Sequence, residues 1–249
     1  MELIDRDSIV MSINYSQESN LLLKALPPTE WHRWESELEL VEMKLGQVLY
    51  ESSGKMQYAY FPVDSIVSLL YVLKDGCSTE IAVVGNEGIV GISLFMGGET
   101  TPSRAVVRSA GKCLRTSAHF LKNEFSNSTP VLHLLLRYTQ ALLTQTTQTA
   151  VCNRHHLLDQ QLCRWLLLSM DRLKGNQLVM TQELIANMLG VRREGVTEAA
   201  GRLQAAGLIS YTRGKIEVLD RKGLEKRSCE CYSVIKIEYD RLLPNLIAT

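Results

Sequence analysis

Between Met180 and Leu203 the apolar residues fall into two short helical stripes separated by a glycine, which restricts this segment to packed helices joined by a sharp turn. Leu184, Ile185, Met188 and Leu189 recur at helical intervals, Ala186 is small where a second helix must approach, and Gly190 stands at the turn. Val191 opens the second segment, whose buried stripe is predicted to be Val196, Ala199, Ala200 and Leu203. Arg192, Arg193, Glu194, Thr197, Glu198 and Arg202 are left on the outward face or at the helix start. That is the pattern of a helix-turn-helix, in which the second helix presents polar side chains to base edges in the major groove. Arginines there suit phosphate or guanine, and Glu194 or Glu198 can accept from a cytosine amino group. A plain helical hairpin with a solvated charged face would share these stripes, so the segment after it matters.

That segment, Gly207 to Asp220, holds two β-prone runs, Leu208 to Tyr211 and Ile216 to Leu219, separated by Thr212-Arg213-Gly214-Lys215. Gly214 suits a tight hairpin. A hairpin directly after a recognition helix is a wing, with Arg213 and Lys215 at its tip placed to touch the sugar-phosphate backbone. Thr181 and Gln182, at the start of the first helix, complete the predicted DNA-contacting set.

The residues Thr181 to Thr197, followed by Arg202-Leu203-Gln204, Gly207-Leu208-Ile209, the wing and Asp220-Arg221, resemble the DNA-binding domain of the Crp/Fnr family of bacterial transcription regulators. The resemblance extends upstream. Leu45-Gly46 through Glu51, Tyr60 to Leu70, Asp75-Gly76, Glu80 and Val84 to Gly88 look like the successive strands and glycine turns of that family's cyclic-nucleotide-binding-type β-roll. It implies an α+β chain: a jelly-roll-like antiparallel β-roll with flanking helices, a long dimerisation helix and a C-terminal winged helix-turn-helix. The expected divisions are a mobile arm over 1–20, the effector-sensing β-roll over 21–129, the long helix over 130–156 and the DNA-binding domain over 157–249. The resemblance also implies double-stranded DNA, a second copy of the chain and RNA polymerase as partners. Many relatives carry an arginine where Glu198 stands, so a different half-site is implied.

Composition fits without forcing this reading. The 249 residues are 45% hydrophobic, enough for a substantial core, and the formal net charge is zero. Residues 151–249 carry about four excess positive charges and residues 1–150 about four excess negative ones, so the basic half is the one with the DNA reader. No stretch approaches the roughly 20 apolar residues of a membrane span, and the start is neither a signal nor a transit peptide, so a cytoplasmic protein is expected.

Upstream, Leu21 to Leu26 reads as a short helix, Pro27-Pro28 as a break, and Thr29 to Trp34 as a second helix capped by Thr29. Residues from about 40 to 120 alternate apolar runs with glycine turns, the pattern of an antiparallel roll. A long helix then begins near Pro130. Leu136, Leu143, Ala150 and Leu157 recur along it with heptad spacing, with Leu132, Thr139 and Thr146 alongside and Leu135 and Leu142 close by. This face can pair with its own copy, as two-fold DNA half-sites require; Gln140, Gln145 and Gln148 make its middle less apolar.

In relatives that bind a cyclic nucleotide, an arginine meets the phosphate, a glutamate meets the ribose, and polar residues of the long helix complete the pocket. Here Gly91 stands where the glutamate should be, and Ser103 falls near the arginine's position with Arg104 one residue away. A one-residue shift turns a strand side chain to the other face, so binding of cyclic AMP is not expected. Gln148 and Thr149 lie where the helix would contact whatever effector binds, and that effector is not named by the sequence. Gly85, Gly88, Gly91, Gly97 and Gly98 are read as turn-shaping residues.

Other chemistry is weaker. A β-roll also resembles the cupin barrel of metal-dependent enzymes, but the histidines, His32, His119, His133, His155 and His156, form no His-x-His, and no phosphate loop or nucleophile elbow is present, so no enzyme is expected. A haem or redox sensor of the same architecture is the alternative, with His119, His133, His155, Cys113 and Cys152 individually able to ligate iron. Some family members hold an iron–sulfur cluster through closely spaced N-terminal cysteines, whereas the first cysteine here is Cys77. Cys229-Glu-Cys231 is the only close pair; it can supply two soft ligands or join a redox switch, yet has no further Cys or His near it in sequence. No cofactor or metal is therefore predicted.

Overall fold

The apolar runs between residues 39 and 117 fold as two antiparallel sheets, in the computed structural model that describes residues 15–173 and 175–243. One sheet contains β1 (Glu39–Met43), β3 (Tyr58–Pro62) and β7 (Gly111–Ser117) in the order β1-β7-β3. The other contains β2 (Val48–Tyr50), β4 (Ile66–Val72), β5 (Ser78–Val84) and β6 (Ser103–Ser109) in the order β2-β6-β4-β5. Alternation along β6 buries Ser103, Ala105 and Val107 and turns Arg104 to the other face. The register between β4 and β6 shifts between Ile66 and Val67, leaving Arg108 unpaired, and the bulge sets Arg108 as well as Val107 into the interior.

Helices close the roll. α1 (Leu21–Lys24) starts at Asn20, whose Oδ1 accepts from the amides of Leu22 and Leu23 at 3.0 and 3.1 Å while its Nδ2 donates to the carbonyls of Pro62 and Gly88. α2 spans Pro28–Glu35, and its cap position is Pro27, not Thr29; Pro28 supplies the first turn, and the Thr29 hydroxyl donates to Glu30. Of the arm expected over 1–20, residues 1–14 lie outside the described residues, and Gln17–Ser19 form a 3₁₀ turn whose Gln17 side chain donates to the carbonyls of Leu23 and Leu26. α3 (Ala118–Asn127), which periodicity did not single out, is capped by Ser117.

The long helix α4 runs from Thr129 to His155, with Pro130 in its first turn as expected. One face, with Leu134, Leu135, Tyr138, Ala141, Leu142 and Gln145, is buried within the chain. Leu157 lies beyond its end, as the cap of α5 (Leu158–Met170), so the heptad seam stops at Ala150. Gly88 permits a close approach here: an added Cβ would collide with the Tyr138 ring, so this glycine is set by packing against α4 as well as by its turn.

The C-terminal unit follows: β8 (Gln177–Val179), α6 (Gln182–Leu189), α7 (Arg193–Ala205), β9 (Ile209–Thr212), β10 (Lys215–Val218), α8 (Arg221–Arg227) and α9 (Glu230–Leu242). The wing is a three-stranded sheet, β8-β10-β9. Its strands are displaced by one residue from the sequence expectation, because the connection is only Arg213-Gly214, with φ of 50° and 78°. Two successive left-handed residues make the tight primed turn that matches strand twist.

The two units are tied by buried charge. Glu80 on β5 accepts from Arg108 at 3.0 and 3.2 Å and from the Trp165 indole at 3.0 Å, and Arg108 also donates to Ser169 at 2.9 Å. Arg172, just past α5, donates to Glu87 at 2.7 Å. α9 returns to pack on α4, where the Gln145 amide donates to the Tyr239 hydroxyl at 3.0 Å and Tyr239 meets the Tyr138 ring edge-on.

Candidate nucleic-acid interface

The predicted stripes are buried as expected: Ile185, Ala186, Met188 and Leu189 from α6 face Val196, Ala199, Ala200 and Leu203 from α7. Leu184 alone departs, standing exposed. Gly190 ends α6 in the left-handed region at φ 65°, and an added Cβ would lie 2.7 Å from the Thr79 hydroxyl on β5, so both the turn and the seating against the roll need glycine.

Thr181 caps α6, its hydroxyl accepting from the Leu184 amide at 3.3 Å. Arg192 occupies the cap of α7, and Arg193, Glu194, Thr197 and Glu198 lie along its first turns, with Arg193, Glu194 and Glu198 exposed. The positive end of a helix there favours an anionic partner. The Thr197 hydroxyl donates to Gln182 Oε1 at 2.7 Å, which fixes the amide and leaves its NH₂ as the outward donor. The wing is locked to the same place: the Tyr211 hydroxyl donates to the Met180 carbonyl at 2.8 Å, and the Met180 amide donates to the Gly214 carbonyl at 2.7 Å. Burial pushes the Tyr211 phenol up from its ordinary value.

Thr181, Gln182, Arg193 and Arg213 thus line one cleft of about 460 Å³, together with Glu183, Tyr211 and Gly214. It continues into a second hollow of about 520 Å³ along α7, bounded by Gln182, Thr197, Ala200, Gly201, Gln204 and Tyr211. Lys215 is exposed beside the wing turn. Tyr211 and Gln204 are additions that helical spacing alone did not single out; the Gln204 Oε1 accepts from the Tyr211 amide at 3.1 Å.

Arg202 is placed differently. Its guanidinium grips the Asp159 carboxylate of α5 at 2.6, 3.0 and 3.1 Å, and Arg227 from α8 joins the same carboxylate at 3.1 Å. The Arg202 hydrogen bonds hold the Asp159 carboxyl below the ordinary carboxylate range, and the pairing raises the Arg202 guanidinium in turn. Arg202 therefore anchors α7 to α5.

The effector set is dispersed by its contacts. Gly91 sits at φ 113° against Leu94, Ala59 and Tyr58, where it opens a 3₁₀ turn. Ser103 is buried beside Thr101, while Arg104 on the opposite face pairs with Glu51 at 3.1 Å. Thr149 donates to the Gln145 carbonyl and accepts from Arg164 of α5 at 3.0 Å, so it faces the C-terminal unit; Gln148 is half-buried on α4. On the other side of α4, Leu136 and Leu143 are 48% and 54% exposed, Ala150 is exposed and Leu132 half-buried.

The family description "Crp-like helix-turn-helix domain" matches residues 160–227. No curated protein sequence matches the chain. Among solved structures, a transcriptional regulator assigned to the Crp/Fnr family from Eubacterium rectale is similar at TM-score 0.66 and 20% identity, covering 82% of this chain and 96% of that one. FixK2 from Bradyrhizobium japonicum gives 0.65 and 17%, covering 77% and 98%. A CRP/FNR family transcriptional regulator from Thermus thermophilus gives 0.62 and 24%, covering 76% and 98%. No helix among the described residues is long and apolar enough to cross a membrane. The chain carries a Crp-like helix-turn-helix domain on the architecture of the Crp/Fnr transcription regulators.

Proposed function

We propose that the protein is a homodimeric, sequence-specific transcription regulator that reads near-palindromic double-stranded DNA through α7 and the wing. The observation that carries this reading is the continuous surface formed by Thr181, Gln182, Arg193, Thr197 and Arg213, with Arg192 at the positive end of α7 and Lys215 beside the wing turn. Arg193 and Gln182 suit base edges; Arg192, Arg213 and Lys215 suit phosphates. The exposed stripe Leu136, Leu143 and Ala150 supports pairing of α4 with its copy, which would set two recognition helices about one helical turn apart, roughly 34 Å. The pairing of Arg104 with Glu51, and a glycine at position 91, speak for an effector other than cyclic AMP. RNA polymerase is the further partner of such a regulator, acting in the cytoplasm and without catalysis.

The test is a DNA titration over several salt concentrations. Arg193→Ala should weaken binding and relax specificity, losing about 1–3 kcal/mol of base discrimination. Lys215→Ala should weaken all sequences alike and flatten the salt dependence by about one unit. Equal loss of specificity in the two variants would refute this division of labour.

A further inference from the structure

Cys229-Glu-Cys231 has no companion ligand near it in sequence, but the fold supplies two. Cys152 and His156 stand one helical turn apart at the C-terminal end of α4, and Cys229 and Cys231 occupy the cap and first turn of α9. Chain return brings these helix ends together across 77 residues between Cys152 and Cys229 and 75 between His156 and Cys231. All six cysteines are free thiols, and Cys152, Cys229 and Cys231 form a buried cluster separate from the main core.

We propose that Cys152, His156, Cys229 and Cys231 bind one zinc ion in a closed, tetrahedral, structural site that clamps the end of α4 to the start of α9.

The distances are those of a ligand cage. Cys152 Sγ lies 3.5 Å from Cys229 Sγ, Cys231 Sγ lies 3.5 Å from His156 Nδ1, and the four donor atoms are all within 4.8 Å of one another. A tetrahedral ion with Zn–S of about 2.3 Å and Zn–N of about 2.0 Å needs S···S edges of ~3.8 Å and S···N edges of ~3.6 Å. Contraction of the longest edges by about 1 Å completes the cage. Three thiols and an imidazole are a soft donor set suited to zinc and unsuited to magnesium or calcium.

The surroundings are equally specific. With His156 Nδ1 turned to the cage, Nε2 faces Glu230 Oε1 at 3.4 Å, the carboxylate–histidine–metal arrangement that orients a ligating ring. Gln161 donates to the carbonyls of His156 at 2.9 Å and Cys152 at 3.4 Å, holding the last turn of α4 in place. Three thiolates around a divalent zinc leave one net negative charge. Arg164 is buried on α5, acts electrostatically on Cys152 and Cys231, and has an Nε with no partner among the described residues, so a compensating cation is already in place. The residues between the two ligand pairs, 157–228, contain the whole helix-turn-helix and wing. The ion would therefore join the two ends of the DNA-reading unit to the helix that carries the proposed dimer seam.

The experiment uses untagged full-length protein purified under reducing conditions without chelator. Elemental analysis should find about one zinc per chain. Replacement by cobalt(II) should give the intense visible bands of a tetrahedral thiolate site. Cys231→Ser should abolish binding; should that variant fail to fold, His156→Cys should keep the ion and strengthen the cobalt–thiolate charge-transfer band, and Glu230→Gln should weaken affinity by about 10–100-fold. Cys77→Ser, at an exposed position elsewhere, should change nothing. Protein that holds no zinc and gives no cobalt spectrum overturns the proposal. So does freshly isolated protein with a Cys152–Cys229 disulfide in place of metal, zinc content indifferent to Cys231→Ser, or a cobalt charge-transfer band unchanged by His156→Cys.

Discussion

Replacing Glu80 with glutamine tests what holds the DNA-reading unit against the roll. Glu80 accepts two hydrogen bonds from Arg108 and one from Trp165, and the Ser68 hydroxyl donates to its other side. Arg108 and Glu80 side chains are 1% and 7% exposed, so water cannot replace a lost partner. Glutamine retains an acceptor for the Trp165 indole but removes the charge, leaving the Arg108 guanidinium buried without compensation. Its burial already pushes the Arg108 pKa down, a sign that the charged form is held there at a cost that Glu80 offsets. Breaking such a pair from one side costs about 3–5 kcal/mol, whereas removing both charges costs much less. With a urea slope of about 3 kcal/mol per molar, Glu80→Gln should lower the unfolding midpoint by about 1–1.7 M. Urea titrations read by tryptophan fluorescence and far-UV circular dichroism would measure this, in Glu80→Gln, Arg108→Met and the double variant. The double should be destabilised by less than the sum of the singles, by about 1–3 kcal/mol. Strict additivity, or a midpoint shift under about 0.3 M in Glu80→Gln, would refute the reasoning.

Two further outcomes follow from the structure. Asp159 is held ionised by Arg202 and then by Arg227, and its folded pKa is lowered; the stability it contributes is present above its unfolded value of about 3.9 and is lost as pH falls through the folded value. Asp159→Asn should thus cost roughly 1 kcal/mol at pH 7, and the gap from the natural protein should close only well below about pH 4; a gap that persists under those acid conditions, followed by thermal unfolding, contradicts the assignment. Leu143→Glu should dissociate the proposed dimer: Leu143 is 54% exposed in the single chain, so losing about 0.8–1.6 kcal/mol of burial at each of two copies raises the dissociation constant by about 15–200-fold. Sedimentation equilibrium would read this, and an unchanged mass would place the dimer contact elsewhere.

The parts legible in the sequence are those whose cause is local. Two stripes and Gly190 specify α6 and α7, and the alternating runs specify the roll. Each wing strand runs one residue closer to the turn than its apolar run indicates, because the turn places Arg213 as well as Gly214 in the left-handed region, and only the glycine advertises that. α3 buries little more than Leu121 and Glu124, and Glu124 is tolerated inside only because Arg33 and Trp34, from a distant helix, donate to it. Arg202 reads as a groove-facing cation until Asp159, 43 residues away, is brought beside it. The fold likewise gathers Cys152 and His156 to Cys229 and Cys231, a juxtaposition with no trace in residue spacing.

The most direct measurement is selection of bound sequences from a random duplex pool by the purified protein, with no ligand and, in a parallel arm, with cyclic AMP. A two-fold near-palindrome with half-sites about one helical turn apart, enriched equally in both arms, is the predicted result. Enrichment confined to the cyclic AMP arm would contradict the reading of Gly91 and Arg104, and enrichment of a site without two-fold symmetry would contradict the account of α7 and the wing as a paired DNA reader.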